Sequence, residues 1–444
     1  MRVYQSVGIA APEVLLPIDS VSKTKWAVIA CDQYTSEPNY WNDVENLVGD
    51  DPSTLKLIFP EVYLSESDPD KRIANIRASM RAYLEGGMLA PHDGMVYVER
   101  AVGDARIRKG IVLCIDLEHY DYRKGSQSLV RATEGTIVER LPPRIKVRNG
   151  ASLELPHIMV LIDDRESTVI GPVTAAKQKL KKVYDFELMM NGGHVAGYLV
   201  DDPDLEQSVV RNLERLADRR GFADRYELRE DMPVLLYAVG DGNHSLATAK
   251  AIWEQVKSDA SDKEAVMRDS RRHALVEIVN LHDEALEFEP IHRVLFELSE
   301  ASDLLSEVAR SLSATVVEVE SLDAMKEEVS RSTSADQRIG VVRWSGYGVI
   351  RVGTPTSSLP VGSLQPLLDA CMKSDGARGI DYVHGTDIVD QLGRRPRNIG
   401  FFLPKMNKQD LFRSVILDGA LPRKTFSMGE ADEKRFYVEC RKMT

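Results

Sequence analysis

One stretch of this chain combines residue types and spacing suited to chemistry: Asp241-Gly242-Asn243-His244-Ser245-Leu246-Ala247-Thr248-Ala249-Lys250. An apolar run over 233–239 precedes it, and Leu246, Ala249, Trp253 and Val256 follow at helical spacing. The pattern predicts a strand, a tight turn through Gly240, Asp241, Gly242 and Asn243, and a helix that buries those four apolar residues. The first N–H groups of a helix have no intrahelical partner and carry about half a positive charge. Gly242 lets a ligand approach the backbone closely. Asn243, His244 and Ser245 add donors, and Lys250 lies within two turns of the same end. Such a turn suits a phosphate. The same residues equally suit a plain helix start, with Asp241 or Asn243 as the cap.

Two other groups bear on that chemistry. The stretch 131–148 holds Arg131, Arg140, Arg144, Lys146 and Arg148 in a chain of net charge −12. Its arginines could supply a cation to a phosphate, or form a solvated loop with ion pairs to Glu134 and Glu139. Asp163-Asp164 end an apolar run over 157–162. Carboxylates at the end of a buried strand suit Mg²⁺ beside a phosphate, so Asp163 and Asp241 are candidate metal ligands. A turn at the strand end is the competing reading. His157 and His194 stand alone, without HxH or HxxxH spacing, and are read as structural.

The surrounding elements follow from periodicity. Residues 26–30 read as a buried strand, 31–38 as the polar loop leaving it, and 40–48 as a helix with Pro38 at its start. Residues 70–90 read as an amphipathic helix with Ile73, Ile76, Met80 and Leu84 on one face. Strands are predicted at 94–99, 110–116, 195–200 and 274–280. Helices are predicted at 174–184, at 204–220 ended by Gly221, near 290–298, at 364–372 and at 409–418. Residues 338–343 and 347–352 flank Ser345-Gly346 as a hairpin. The fold class is therefore α/β of mixed α+β character. The composition shift near 300 places a main domain at 1–299 and a C-terminal α+β subdomain at 300–444.

Bulk properties narrow the function. With 444 residues, 43% hydrophobic and 28% charged, the chain has room for two or three ordinary cores. No apolar run reaches about 18 residues, and Pro12, Glu13 and Pro17 interrupt the N-terminal stretch, so a soluble cytoplasmic protein is expected. Cys31, Cys114, Cys371 and Cys440 form no CxxC pair, which argues against a disulfide framework or zinc knuckle. The negative charge argues against nucleic acid as a partner. No GxGxxG, GxxxxGK[ST] or GxSxG motif marks a dinucleotide fold, a Walker ATPase or a serine hydrolase.

Three stretches carry a resemblance: VGDGNHSLATAK, AVIACDQYTSEPNYW and RATEGTIVERLPPRIKVRNGASLELPHIMVLIDD. They resemble, along most of the chain, the bacterial and archaeal family known as domain of unknown function 1015. That family's DGHHR-type box is similar to the phosphate-binding box of the ParB/sulfiredoxin superfamily, which includes ADP-dependent free-serine kinases. The resemblance implies a ParB/sulfiredoxin-like core with a mixed sheet, a nucleotide (ADP or ATP) and Mg²⁺. Asp241, Gly242 and His244 match the box, Asn243 stands at its first His, and Ser245 replaces its Arg. A serine cannot replace the bidentate grip of an arginine, so a phosphate here needs a cation from elsewhere or a metal.

In the superfamily's kinases an acidic residue near the N-terminus is the base for the substrate hydroxyl. Glu37 or Asp32 would fill that role; a surface turn with Thr35 or Ser36 as a helix cap is the alternative. Residues 422–429 resemble the family's terminal proline–lysine segment. Lys424 would be a cation if that loop folds back over the phosphate, and part of a surface hairpin otherwise. Members are often encoded near serine-biosynthesis enzymes. The expectation is a phosphotransfer enzyme acting on a small hydroxylated metabolite, serine or phosphoserine, with Glu37, Asp32, Asp241 and His244 in catalytic roles. Gly242, Asn243, His244, Ser245, Lys250, Arg131, Arg144 and Lys424 would hold phosphate. A nucleotide-dependent regulator without turnover is the alternative, and a scaffold the third reading. The expected partner is a small phosphate-bearing ligand, no membrane is expected, and self-association is compatible with the sequence.

Overall fold

A two-residue period sets the architecture of the first part of the chain. Val96, Val98, Val112 and Cys114 join one buried cluster, whereas Met95, Tyr97, Ile111, Leu113 and Ile115 join another. Alternation between two apolar layers is what a sheet covered on both faces requires. The computed structural model describes all residues except 36, 65–67, 104–105, 300–302 and 444. The chain is of mixed α/β class and forms two compact units, Met1–Leu286 with Gly429–Thr444, and Glu287–Met428.

Among the described residues the main sheet of the first unit has eleven strands. They are β1 (Arg2–Tyr4), β2 (Ile9–Ala11), β3 (Met95–Val102), β4 (Arg106–Asp116), β5 (Tyr120–Asp121), β6 (Val130–Ala132), β7 (Met159–Ile162), β8 (Lys181–Glu187), β9 (His194–Val200), β10 (Tyr237–Asp241) and β11 (His273–Asn280). Their order is β8-β9-β3-β4-β11-β7-β10-β6-β5, with β2 on β4 and β1 on β2. The pairs β7–β11, β10–β6 and β6–β5 are parallel, and the others are antiparallel. Helices α1 (Pro38–Val48), α2 (Pro69–Glu85), α3 (Leu141–Arg148), α4 (Pro203–Leu216) and α5 (Asn243–Asp259) contribute to the layers around it.

The second unit holds β12 (Phe288–Phe296), β13 (Thr315–Val319), β14 (Gln337–Arg343), β15 (Gly346–Val352), β16 (Gly379–His384), β17 (Ile399–Phe402) and β18 (Phe426–Met428). They form one sheet in the order β13-β15-β14-β17-β12-β16, with β18 on β12. Strand pairing draws the line between units at Leu286 and Glu287, because β12 ladders with β16, β17 and β18.

Three expected elements differ. Residues 174–184 are a short helix, Gly171–Ala176, then a 3₁₀ turn and strand β8. The lysines there obscure a two-residue pattern that buries Tyr184 against β9. The helix expected over 204–220 ends at Leu216, and Asp218 caps a new helix, Arg219–Tyr226, that contains Gly221. Residues near 290–298 form strand β12, which is flanked by β17 and β16, and buried apolar side chains on both faces blur its period.

The last residues tie the first unit together. Phe436–Tyr437 pairs with Val28–Ile29, Arg441–Lys442 pairs with Leu153–Glu154, and Trp26 Nε1 donates to the Val438 carbonyl at 2.8 Å. Arg435 is buried beside Glu277 at 3.2 Å and Glu439 at 2.7 Å. Arg100 and Arg108 donate to the carbonyls of Asp432 and Glu433, both at 3.0 Å. The Tyr184 hydroxyl donates to Glu439 at 2.5 Å, and its ring lies over Gly197 in β9.

That ring leaves no space for a β-carbon at Gly197. An alanine in an open strand would stabilise through the unfolded chain, but Tyr184 is held by Glu439 and cannot retreat. Gly197→Ala is expected to destabilise by about 1–3 kcal/mol in urea titration, the usual range for overpacking. An unchanged midpoint would show that the ring is not fixed.

Candidate functional site

Strand β10 ends at Asp241, Gly242 turns the chain in the left-handed region at φ 76°, and α5 starts at Asn243. A β-carbon on Gly242 would stand 3.0 Å from the Ile158 α-carbon, so glycine is required twice over, by conformation and by space. No side chain caps α5. Asp241 Oδ1 accepts from the Gly242 amide at 2.9 Å instead. The dipole of α5 is thus uncompensated by an N-cap side chain. Asn243 Nδ2 donates to the Val239 carbonyl at 3.3 Å, and its Oδ1 is buried without a hydrogen-bond partner among the described residues. His244 Nε2 accepts from the Ile137 amide at 3.3 Å, which puts the ring's proton on Nδ1.

A cation sits against this turn. Lys434 Nζ lies 3.3 Å from Asp241 Oδ2, and only 9% of the lysine side chain is exposed. Asp32 feels the same ammonium. Burial alone would raise the Asp32 carboxyl, but His157, Gln33 and Lys434 outweigh it and hold it below the usual carboxylate range. The backbone brings Glu61 alongside: its amide donates to the Cys31 carbonyl at 2.7 Å. Arg144 pairs with the Glu61 carboxylate, and Arg144 Nη1 donates to the Arg140 carbonyl at 2.8 Å. Burial and the nearby Asp32 still push the Glu61 carboxyl up, against the pull of Arg144. Asp32, Glu61, Arg144, His157, Lys434 and Asp241 therefore form one electrostatic cluster beside the uncapped end of α5. Two carboxylates sharing a largely buried ammonium can hold a polar ligand and accept a proton from a hydroxyl.

Several expected residues are engaged elsewhere. Arg131 is buried and donates to the carbonyls of Ser128 at 2.9 Å and Pro233 at 2.8 Å, toward the start of β10 and away from Asp241. Burial pushes its guanidinium down to about 10. Lys250 donates to the Leu117 carbonyl at 2.7 Å and pairs with Glu254 at 2.6 Å. Asp163 lies at the far end of β7 from Asp241, bonded to Tyr226 at 2.5 Å and His282 at 2.6 Å. Among the described residues no group of three or more His, Cys, Asp or Glu is placed to hold a metal ion. Lys424 belongs to the second unit. Glu37 is exposed at the start of α1 and makes no cap, and Ser36 lies outside the described residues. Ser245 follows His244 in the first turn of α5.

The residues of this cluster that sequence reasoning did not name are Lys434 and Glu61; His157 was read as structural. Each is far along the chain from 241–250, and none belongs to a local motif. The lone His157 before an apolar strand was the available signal.

Removing the shared cation has a defined consequence. In Lys434→Met the burial cost of the Asp32 carboxylate loses one of its counterweights, so its pKa is expected to rise, read by carbonyl ¹³C NMR titration. An unmoved Asp32 would mean that Lys434 does not act on it.

No curated protein matches the sequence. Solved structures give low similarity: free serine kinase in complex with AMP, at 12% identity over 75% of this chain and 92% of that one, has a TM-score of 0.39. A conserved hypothetical protein from Pyrococcus furiosus, at 11% identity over 74% and 90%, has 0.34. SbnI with a C-terminal truncation from Staphylococcus aureus, at 9% identity over 72% and 82%, also has 0.34. No helix among the described residues is long and apolar enough to cross a membrane. The model of the family described as "Protein of unknown function (DUF1015)" matches residues 15–370, and the chain belongs to that family.

Proposed function

We propose that the first turn of α5, with Lys434, binds the phosphates of a nucleotide, and that the site transfers a phosphoryl group to a small hydroxylated metabolite. The observation that carries this reading is Lys434, nearly buried and 3.3 Å from Asp241, beside a helix start that no side chain caps. An ammonium there supplies the charge that Ser245 cannot, and a largely buried site makes that charge count for more than it would in water. Gly242, Asn243, His244 and Ser245 line the phosphate, and Asp241 orients Lys434. Asp32, rather than the exposed Glu37, is the carboxylate for the acceptor hydroxyl, because its neighbours keep it ionised. In the transfer, the acceptor oxygen bonds to phosphorus, the bond from phosphorus to the nucleotide's bridging oxygen breaks, and the hydroxyl proton passes to Asp32. Positioning and electrostatics carry most of such a reaction. The box resemblance makes serine the first acceptor to try, with phosphoserine as the product of transfer, and ADP or ATP the first nucleotide. A Mg²⁺ ion would arrive with the phosphates, with Asp241 as its protein carboxylate.

The second reading is a nucleotide-dependent regulator without turnover. The serine at the box's arginine position favours it, because one lysine grips phosphate less specifically than a guanidinium fork.

A thermal-shift screen with ADP, ATP and pyrophosphate, with and without Mg²⁺, tests both. A ligand at about 100 times its Kd adds roughly 2.7 kcal/mol. The shift is expected in the wild type and lost in Lys434→Ala. Asp32→Asn is expected to keep the shift while losing transfer to serine by about 10²–10⁴-fold, the usual contribution of a general base. A shift without any product would select the regulator. The absence of any shift would remove both readings.

A further inference from the structure

Three arginines lie against the segment that carries Lys434, and their charge does not balance. Arg100 of β3 and Arg108 of β4 are register partners, so their side chains share one face of the sheet. Each is 3% exposed. Among the described residues neither pairs with a carboxylate. Arg100 donates to the carbonyls of Ala101 at 2.6 Å and Asp432 at 3.0 Å, and Arg108 donates to that of Glu433 at 3.0 Å. Glu277 occupies the space over Gly110, two residues along β4 from Arg108, and pairs with Arg435. Arg435 also holds Glu439. The carboxylates of the covering segment are placed otherwise: Asp432 is exposed, and Glu433 Oε2 accepts the Glu430 amide at 3.0 Å. Their charges act on Arg100 only through space.

Arg100, Arg108 and Arg435 are positive, Glu277 and Glu439 are negative, and all five are buried. One positive charge is left over. Like charges opposite each other on a sheet are destabilising, and a buried charge without a counterion costs more still. Burial and the neighbouring Arg108 accordingly push the Arg100 guanidinium down to about 9. Hydrogen bonding points the same way. The Nε–H groups of Arg100, Arg108 and Arg435 are buried without a partner among the described residues, against one such acceptor in the cluster, Glu277 Oε1. Water brings donors as well as acceptors and would leave the charge in place. An ion that only accepts removes the surplus of donors and the surplus of charge together.

We propose that Arg100 and Arg108 form a buried site for a small monovalent anion of the halide class. A single leftover charge calls for a monovalent ion, and two guanidiniums with almost no exposure call for a small one. A spherical ion imposes no direction on its donors, which suits Nε–H groups that come from two different strands. The ion offsets the repulsion between the two arginines while both hold the carbonyls of Asp432 and Glu433. It thereby helps to fix the segment that leads into Lys434. The inference rests on the arginine cluster alone and not on the phosphate reading of the α5 turn.

The test follows the unfolding of the full chain in urea while sodium chloride replaces sodium gluconate at constant ionic strength, gluconate being too large to be buried between the two side chains. An anion that binds only the folded state stabilises it with the logarithm of its concentration. Above its Kd, each tenfold rise in chloride should therefore raise the folded-to-unfolded ratio about 10-fold. Bromide should act as chloride does. Arg108→Gln removes the leftover charge and keeps a hydrogen-bond donor, and its midpoint should be the same in chloride and gluconate. Wild-type crystals grown in bromide should show an anomalous peak in contact with the Nε groups of Arg100 and Arg108, a readout that stands even where the variant does not fold. A wild-type midpoint that is equal in chloride and gluconate, a variant that keeps the halide dependence, or bromide found only at the surface would each overturn the proposal.

Discussion

Arg435 is the constraint on which the rest of the first unit's chemistry depends. Its guanidinium is 4% exposed and bridges Glu277 of β11 and Glu439, two carboxylates with almost no exposure of their own. Burial alone would lower its pKa, but the two acids outweigh that and raise it. Gly110 in β4 makes the space for Glu277, since a β-carbon there would collide with that carboxylate. Losing one member of such a group strands a buried charge, which typically costs about 3–5 kcal/mol. With Arg435 fixed, and with Arg100 and Arg108 holding the carbonyls just before it, Lys434 has little freedom in where its ammonium goes. A residue close to the end of the sequence is thereby placed against a turn at residue 241.

On the proposed phosphate reading, that arrangement would supply the charge that Ser245, at the position of the box arginine, does not. The positive charge comes from a separate, firmly anchored segment. A lysine held by Asp241 is a point charge and cannot impose the planar geometry of a guanidinium. Shape must then come from the backbone: the left-handed Gly242, the first turn of α5, and the loop whose Ile137 amide fixes the His244 ring. Asp32, kept ionised, and Glu61, pushed toward its neutral form, give the same site two carboxyl groups with opposite tendencies. Such divergence suits a division of proton-accepting and proton-donating work.

Local signals were legible in the sequence and long-range ones were not. The strand, glycine turn and helix at 237–259 could be read because the apolar spacing, the glycine and the box residues all fall within a few turns of one another. Helices α1 and α2 followed for the same reason, with Pro38 and Gly86 marking their ends. Segment 181–187 was obscured because lysines occupy the exposed positions of a strand whose buried residue, Tyr184, is recognised only by its partner Gly197. Arg131 looked like a free cation because its backbone acceptors at Ser128 and Pro233 have no sequence signature. Lys434 was invisible for the converse reason: its place comes from pairing between Phe436–Tyr437 and Val28–Ile29, which no window of sequence contains.

The most direct measurement is a crystal structure of the chain grown with ADP. The account predicts diphosphate density at the start of α5, with oxygens within about 3 Å of the amides of 243–245 and of Lys434 Nζ. Nucleotide bound elsewhere, with the 241–245 turn unchanged and Lys434 still paired only with its carboxylates, would contradict it.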